Sequence, residues 1–269
     1  MIEINDKNVV NSLAKGFRVL EAFTSEDCEL VLAEVARRAS LDNATTFRLM
    51  NTLVMLGYVE KVEDTRKFRL TLKCLDLGFN AIARSDLRAQ ARPILRGLVG
   101  EMNEAASIGV LEGPEVVYIE RMQAGLTRLG VDVRIGSRVP VHSTAIGHAI
   151  LGFLPREEQE RILASAPRKK MTQRTVTDVK ALLRRLKEVR GRGYAVSDQE
   201  NVTGLRVLAA PILDLDGFPV AGVSVAAPAF RMSSQAFEEA GAAPLLSAAR
   251  QLSRGLNAIG GFALHSTHY

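Results

Sequence analysis

Apolar residues recur at helical spacing from the start of the chain. Leu13, Phe17, Leu20 and Phe23 follow Ser12 in steps of three and four, which predicts a first helix closed by the polar stretch TSEDCE. Leu32, Val35, Ala36 and Ala39 predict a short second helix, and SLDN then supplies a turn and a fresh helix start at Ser40 to Asn43. The third helix runs to about Leu56 and stops at Gly57, a residue suited to helix ends. YVEKV and KFRLTL, joined by EDTR, alternate with period two and predict a β-hairpin. Two more helical runs follow, one carrying Leu72, Leu75, Phe79 and Ile82. The other carries Ile94, Leu95, Leu98 and Met102 and is expected to kink or restart near Pro93.

The break at Arg84–Asp86 is taken as the domain boundary. It gives a helical domain with a wing over residues 1–73, a linking helix over 74–86 and a second domain over 87–269. Beyond the break the texture changes. ASIGVL, EVVYIERM, RVLAAPIL and VAGVSVAA read as strands, the last two flanking a DLDGFP turn. Helical patterns at Thr144–Leu154, Glu157–Ala164, Val179–Gly191 and Gln235–Ile259 lie among or after them, so the second domain is α+β.

Composition narrows the class without choosing a function. A content of 47% hydrophobic and 24% charged residues over 269 residues is that of a globular chain with room for two cores. No run approaches the ~20 apolar residues of a membrane span, and the start lacks a secretory pattern, so a cytoplasmic location is the expectation. Cys28 and Cys74 form no CxxC pair and read as reduced thiols. The net charge of +5 permits an anionic partner, but the basic excess is not concentrated in the first third.

The third helix carries more information. At ~100° per residue, Thr46, Leu49, Met50, Leu53 and Leu56 group on one side, while Asn43, Ala44, Phe47, Arg48 and Asn51 occupy the other. Asn pairs with adenine or bonds phosphate, Arg pairs with guanine or phosphate, and an exposed ring lies against a thymine methyl. A helix–turn–helix followed by a hairpin is a winged helix-turn-helix pattern whose second helix enters the major groove. Phe47 then has two roles open to it, reading a base or packing beneath the wing. Arg66, Lys67 and Arg69 in RKFR are placed in one exposed turn beside that helix, where they would neutralise phosphates. The residues expected at DNA are Asn43, Thr45, Phe47, Arg48, Asn51, Arg66 and Lys67.

In the second domain PVHSTAIGHAIL places Ser143 and Thr144 where a loop becomes a helix, with Gly147 leaving space for a close neighbour. Backbone N–H groups and hydroxyls at such an end suit an anion, and capping by Ser143 or Thr144 with Gly147 serving packing is the structural alternative. Arg134 and Arg138 either meet a carboxylate or lie on a strand edge. His142 beside Ser143, with Asp198 or Asp214, is poorly arranged as a catalytic set, and no GxSxG, phosphate-binding glycine loop or HExxH is present. His142 with His148, and His265 with His268, lack further ligands in view. No enzymatic activity, cofactor or metal is therefore expected.

The stretches SLAKGFRVLEAF, LAEVARRASLDNATTFRLMNTLVMLGYVEK and FRLTLKCLDLG resemble the amino-terminal domain of the IclR family of bacterial transcriptional regulators. GSRVPVHSTAIGHAILGFLP and GYAVSDQENVTGLRVLAAPILDLDG resemble that family's effector-binding domain, and the likeness runs from Ser12 to Ile259 in one order. It implies a regulator that binds a near-palindromic DNA operator as a homodimer or dimer of dimers, with a GAF- or profilin-like effector domain sensing a small organic acid. Transferred by motif, the effector positions are Ser143, Thr144, Ala145, Gly147, Ser197, Leu205, Val207, Ser224 and Ala226. Val207 and Ala226 stand where some relatives carry polar or thiol groups, which favours a ligand with an apolar body, such as an aromatic carboxylate governing catabolic genes. Val31 stands where the family commonly has Thr or Ser, so a helix cap is lost. The competing expectation is a ligand-binding signalling module whose helical domain contacts protein instead of DNA.

Overall fold

A computed structural model of the chain describes residues 9–24, 26–83, 86–123 and 133–258, with the side chains of 79–88 and 258 left aside. The expected break at Arg84 and Ser85, the apolar positions Phe79 and Ile82, the helix end at Ile259 and the tail histidines His265 and His268 fall outside what is described. The chain forms two units, Met1–Ala81 and Ile82–Tyr269.

The first unit holds α1 (Asn11–Glu21), β1 (Leu30–Val31), α2 (Leu32–Ala39), α3 (Asn43–Met55), β2 (Val59–Lys61), β3 (Lys67–Leu70) and α4 (Lys73–Ala83). Val19, Val35, Met50, Leu53, Val59 and Phe68 interlock in its core. Each such fully buried side chain contributes about 1.5–3 kcal/mol. Ser40 adopts a left-handed conformation (φ 53°) and ends α2, after which Asp42 caps α3 by accepting the Thr45 N–H at 2.8 Å. That hydrogen bond holds the Asp42 carboxyl below its ordinary range. Gly57, at φ +77°, ends α3 and turns the chain into the wing.

The sequence pattern misses β1, a two-residue strand that pairs with β3 through Leu30↔Phe68 and Val31↔Lys67 and makes the wing three-stranded. Two residues are too few to show alternation. Val31 gives no side-chain cap to α2, and the only half of a capping box possible here is present, Glu34 accepting the Val31 N–H at 3.0 Å.

The second unit begins with α5 (Asp86–Met102), which continues through Pro93 without ending there. Then come β4 (Ala105–Glu112), β5 (Glu115–Met122), β6 (Arg138–Pro140), α6 (Ala145–Leu151), α7 (Arg156–Ala164), α8 (Val179–Arg192), β7 (Ala195–Asp198), β8 (Leu205–Leu213), β9 (Pro219–Pro228) and α9 (Ser234–Ala258). The four expected strands are present, and β6 and β7 are added at the two edges. One antiparallel sheet results, in the order β6-β5-β4-β9-β8-β7.

Period two divides this sheet cleanly. Ile108, Leu208, Ala210, Ile212, Val223 and Val225 face α5 and α9, where they meet Leu95, Phe237, Leu245 and Leu252. Val116, Tyr118, Ala195 and Ala209 face the opposite way and pack with Ile146, Ile150, Leu163, Leu182 and Leu186 of α6 to α8.

Candidate functional site

On the first unit, α3 holds its polar face away from the core. Asn43, Ala44, Phe47, Arg48 and Asn51 are all exposed, Phe47 at 53%. Phe47 takes no part in the core cluster, and the place beneath the wing is filled by Phe68, which is 9% exposed. The packing alternative for Phe47 therefore has no contact to support it. Thr45 is half-buried on the flank of the helix.

The wing departs from the expected turn of three cations. Arg66 and Lys67 are exposed, but Arg69 lies on β3, where Glu60 accepts its Nε–H at 2.6 Å and Glu29 lies 4.0 Å away. Lys67 and Arg69 flank the buried Phe68 and share the exposed face of β3, so what sets Arg69 apart is its cross-strand neighbour Glu60.

In the second unit α6 lies over two glycines paired across β4 and β9, Gly109↔Gly222. A Cβ on Gly222 would stand 2.8 Å from the Ile146 Cγ1, and one on Gly109 would be 3.1 Å from its Cδ1, so the helix sits as close to the sheet as side-chain-free backbone allows. Its first turn projects over the next rows. One row reads Ser107–Ser224–Ala209–Ala195, and the next reads Ala105–Ala226–Val207–Ser197. Leu205 continues the same face toward the end of β8, and Arg206 points to the other side, where it binds Asp198 at 2.7 Å.

These rows carry small side chains with buried hydroxyls among them. Ser107, Ser143, Ser197 and Ser224 are each 3% exposed or less. Ser224 makes no side-chain hydrogen bond among the described residues. The Ser143 hydroxyl donates to Asn201 Oδ1 at 2.9 Å, and the Ser197 hydroxyl donates to the Ser143 carbonyl at 3.3 Å. Arg121 enters from β5, its Nη1 donating to the Ser107 hydroxyl at 3.0 Å. Tyr118 lies on the same face, its phenol pushed up to about 12 by burial against the smaller opposing influence of the Arg121 charge.

Arg121, Ser107, Tyr118 and Asn201 are missed by the sequence reading. Tyr118 and Arg121 are three residues apart, so strict alternation places them on opposite faces. A β-bulge reconciles them: Gly109 pairs with Tyr118 and Ile108 with Glu120, leaving Ile119 unmatched. Past the bulge Glu120 points to α5 and accepts from Arg92 at 3.1 Å, and Arg121 returns to the α6 face. The signal available in the sequence is the arginine itself, in a strand otherwise rich in apolar residues.

Two transferred positions serve the scaffold. Thr144 caps α6, accepting the Gly147 N–H at 3.3 Å and giving its one hydroxyl proton to the Pro140 carbonyl at 2.8 Å. The close neighbour of Gly147 is backbone: a Cβ there would fall 2.5 Å from the Val141 Cα. Ala145 lies in the first turn, 1% exposed. The turn is pinned again by His148, whose Nε2 donates to the His142 carbonyl at 2.7 Å. Burial, followed by the Arg185 charge, lowers His148 to about 4, so it is neutral at pH 7. His142 in turn reaches the Lys169 carbonyl at 2.9 Å, so these histidines act as ties. Arg138 lies on the edge strand β6, paired with Glu112 at 2.6 Å and Glu115 at 3.4 Å. Arg134 gives its backbone N–H to the Ser137 hydroxyl at 2.9 Å.

A winged helix-turn-helix unit followed by an α+β unit defines a class of DNA-binding regulators. Residues 12–63 match the IclR helix-turn-helix domain and residues 79–254 match the bacterial transcriptional regulator IclR C-terminal domain. The chain belongs to the IclR family of transcriptional regulators. It is 35% identical over 244 residues to the HTH-type transcriptional regulator KdgR of Escherichia coli, covering 91% of this chain and 92% of that protein. A solved regulator structure from Rhodococcus sp. RHA1 superposes with a TM-score of 0.84 at 32% identity, over 94% of this chain and 100% of that one. An IclR homologue from Microbacterium hydrocarbonoxydans, solved in complex with 4-hydroxybenzoate, superposes with a TM-score of 0.78 at 27% identity, over 90% and 98% of the two chains.

Proposed function

We propose that this regulator binds a DNA operator through α3 and the wing, and that a small organic acid with an aromatic body modulates that binding to control catabolic genes. The observation that carries the ligand reading is the set of buried hydroxyls, small side chains and Arg121 that share the α6 face. Arg121, with the hydroxyls of Ser107 and Ser224, supplies donors for a carboxylate, and Val207, Ala226, Ala209 and Ala105 supply an apolar floor for a ring. The first-turn N–H groups of α6 add favourable potential at the same end. The homologue crystallised with 4-hydroxybenzoate supports the ligand class.

The mechanism is linkage. An acid that binds one arrangement of the second unit more tightly shifts the population competent for DNA, by no more than its differential affinity for the two arrangements. The regulator acts in the cytoplasm as a dimer or dimer of dimers, each α3 reading one half of a near-palindromic site ~34 Å from the next.

The test uses 4-hydroxybenzoate as probe. At 100 times its dissociation constant a native-state ligand contributes about 2.7 kcal/mol, which raises the melting temperature of a unit of this size by about 5–10 °C. Ser224→Leu and Arg121→Ala are expected to abolish that rise while leaving DNA binding intact. A panel of aromatic and short aliphatic carboxylates giving no rise in the wild type refutes the aromatic-acid reading. For the DNA arm, Arg48→Ala with Asn51→Ala is expected to remove operator binding and keep ligand binding. Full retention of operator binding would favour a protein partner instead.

A further inference from the structure

Beside the polar face of α3 lies a cleft of about 250 Å³ lined by Ser12 and Lys15 of α1 and by Thr45, Arg48, Leu49 and Thr52 of α3. We propose that this cleft holds one phosphate of the DNA backbone, with Lys15 and Arg48 as its two cationic jaws, and that Arg48 therefore anchors the helix while Asn43, Phe47 and Asn51 are left to meet the bases. This inference rests on the DNA-reading function proposed above.

The charge balance of the cleft points to an anion. Elsewhere on this unit Arg38 is neutralised by Asp27 at 2.7 Å and Arg69 by Glu60 at 2.6 Å. Lys15 and Arg48 have no ion-pair partner among the described residues, and the lining contains no carboxylate. Neither α1 nor α3 carries an acid in its first turn. Asp42, which caps α3 by accepting the Thr45 N–H, lies outside the lining and pairs with neither cation. An uncompensated pair of cations in a concave site attracts a compact anion, and the positive end of α1 near Ser12 adds to that potential.

The position of the cleft points to backbone phosphate. Along α3, Arg48 stands at the boundary between the flank residues Thr45 and Thr52 and the exposed residues Ala44 and Asn51. When α3 lies in the major groove, its flank and the helix packed on it meet the sugar–phosphate strand that borders the groove. Lys15 reaches that level from α1, outside the groove, where base edges are not presented. Thr52 gives its hydroxyl proton to the Arg48 carbonyl at 3.0 Å, which leaves Ser12, Lys15 and Arg48 as side-chain donors for phosphate oxygens.

The test is the salt dependence of binding by the full chain to a duplex selected by the wild-type protein from a random-sequence pool, followed by fluorescence anisotropy across a KCl series. Lys15→Gln and Arg48→Gln are each expected to weaken binding and to reduce the slope of log K against log [KCl] by about 1 per bound protomer, with the selected base preference unchanged. Lys15→Arg is expected to restore the slope. Lys15 is half-buried and Arg48 exposed, and circular dichroism checks that the fold is kept in each variant. A Lys15→Gln chain with the wild-type slope overturns the cleft, as does an Arg48→Gln chain whose preference relaxes at one base pair. A wild-type chain that prefers no duplex removes the DNA-reading function and the cleft with it, a result distinct from either variant failing alone.

Discussion

Gly147→Ala separates two opposite expectations for the turn that opens α6. Intrinsic helix propensity alone favours alanine over glycine in a helix by about 1 kcal/mol, so an unconstrained position would gain stability. Here the new methyl would stand 2.5 Å from the Val141 Cα and 2.8 Å from its carbonyl carbon. That backbone has little room to yield, because the Val141 N–H is bonded to the Pro114 carbonyl at 3.0 Å and the carbonyls of Pro140 and His142 are held by Thr144 and His148. Overpacking costs about 1–3 kcal/mol, and a clash with pinned backbone belongs at the upper end. After the propensity gain is subtracted, a loss of about 2 kcal/mol remains. For a unit of this size that lowers the melting temperature by about 4–8 °C. Differential scanning calorimetry of the full chain measures it, with Gly191→Ala as the control. Gly191 is helical in the same unit, and a Cβ there meets nothing within 4 Å, so it is expected to raise stability by a few tenths of a kcal/mol to about 1 kcal/mol. Should Gly147→Ala raise the melting temperature as Gly191→Ala does, the close-packing account of this turn is wrong.

Three further outcomes follow from the same geometry. His148 is lowered to about 4 in the folded state, so its neutral form stabilises the fold fully above about pH 6.5, and the contribution, about 3 kcal/mol, is lost as pH falls toward 4. Denaturant melts of His148→Asn should lack that acid-side slope, and a variant with the wild-type pH profile would contradict it. Phe47→Ala, at a site 53% exposed and outside the core, should change stability by less than about 0.5 kcal/mol while relaxing preference at one base pair in a binding-site selection; a large loss of stability would mean it is a packing residue. Cys28 is exposed, whereas Cys74 is raised by burial and reaches the Tyr58 carbonyl at 3.4 Å, so a thiol reagent should label Cys28 first, and equal rates would refute the difference.

Helices such as α2 were legible because they bury one stripe, here Val35, Ala36 and Ala39, whereas Leu13 and Phe17 of α1, Leu72 and Leu75, expected on apolar faces, are exposed. The long strands were legible for the same reason, since β8 and β9 alternate two packed faces. β1 and β6 are two and three residues long and carry no period to read. At Pro93 the helix does not restart, because an exposed proline within a long helix is tolerated where the packing of Ala91, Leu95 and Leu98 holds the chain on either side. At the candidate sites, the exposed face of α3 could be drawn from its wheel alone. The recess could not, because the placement of Arg121 depends on a register irregularity, and cross-strand rows such as Ser107–Ser224–Ala209 join residues far apart in sequence.

That irregularity at Ile119 also decides the sign of the charged side chain turned toward α6. Glu120 and Arg121 are neighbours of opposite charge, and the unmatched residue selects which of them faces α6. A strand continued without it from Tyr118 would turn Glu120 toward α6 and Arg121 away from it, reversing the charge on that face with no change in amino-acid content. Substitutions on the floor, at Val207 or Ala226, alter only the shape that fits. Shifts of register within the β4–β5 hairpin are therefore the changes able to move a protein of this architecture from one charge class of ligand to the other.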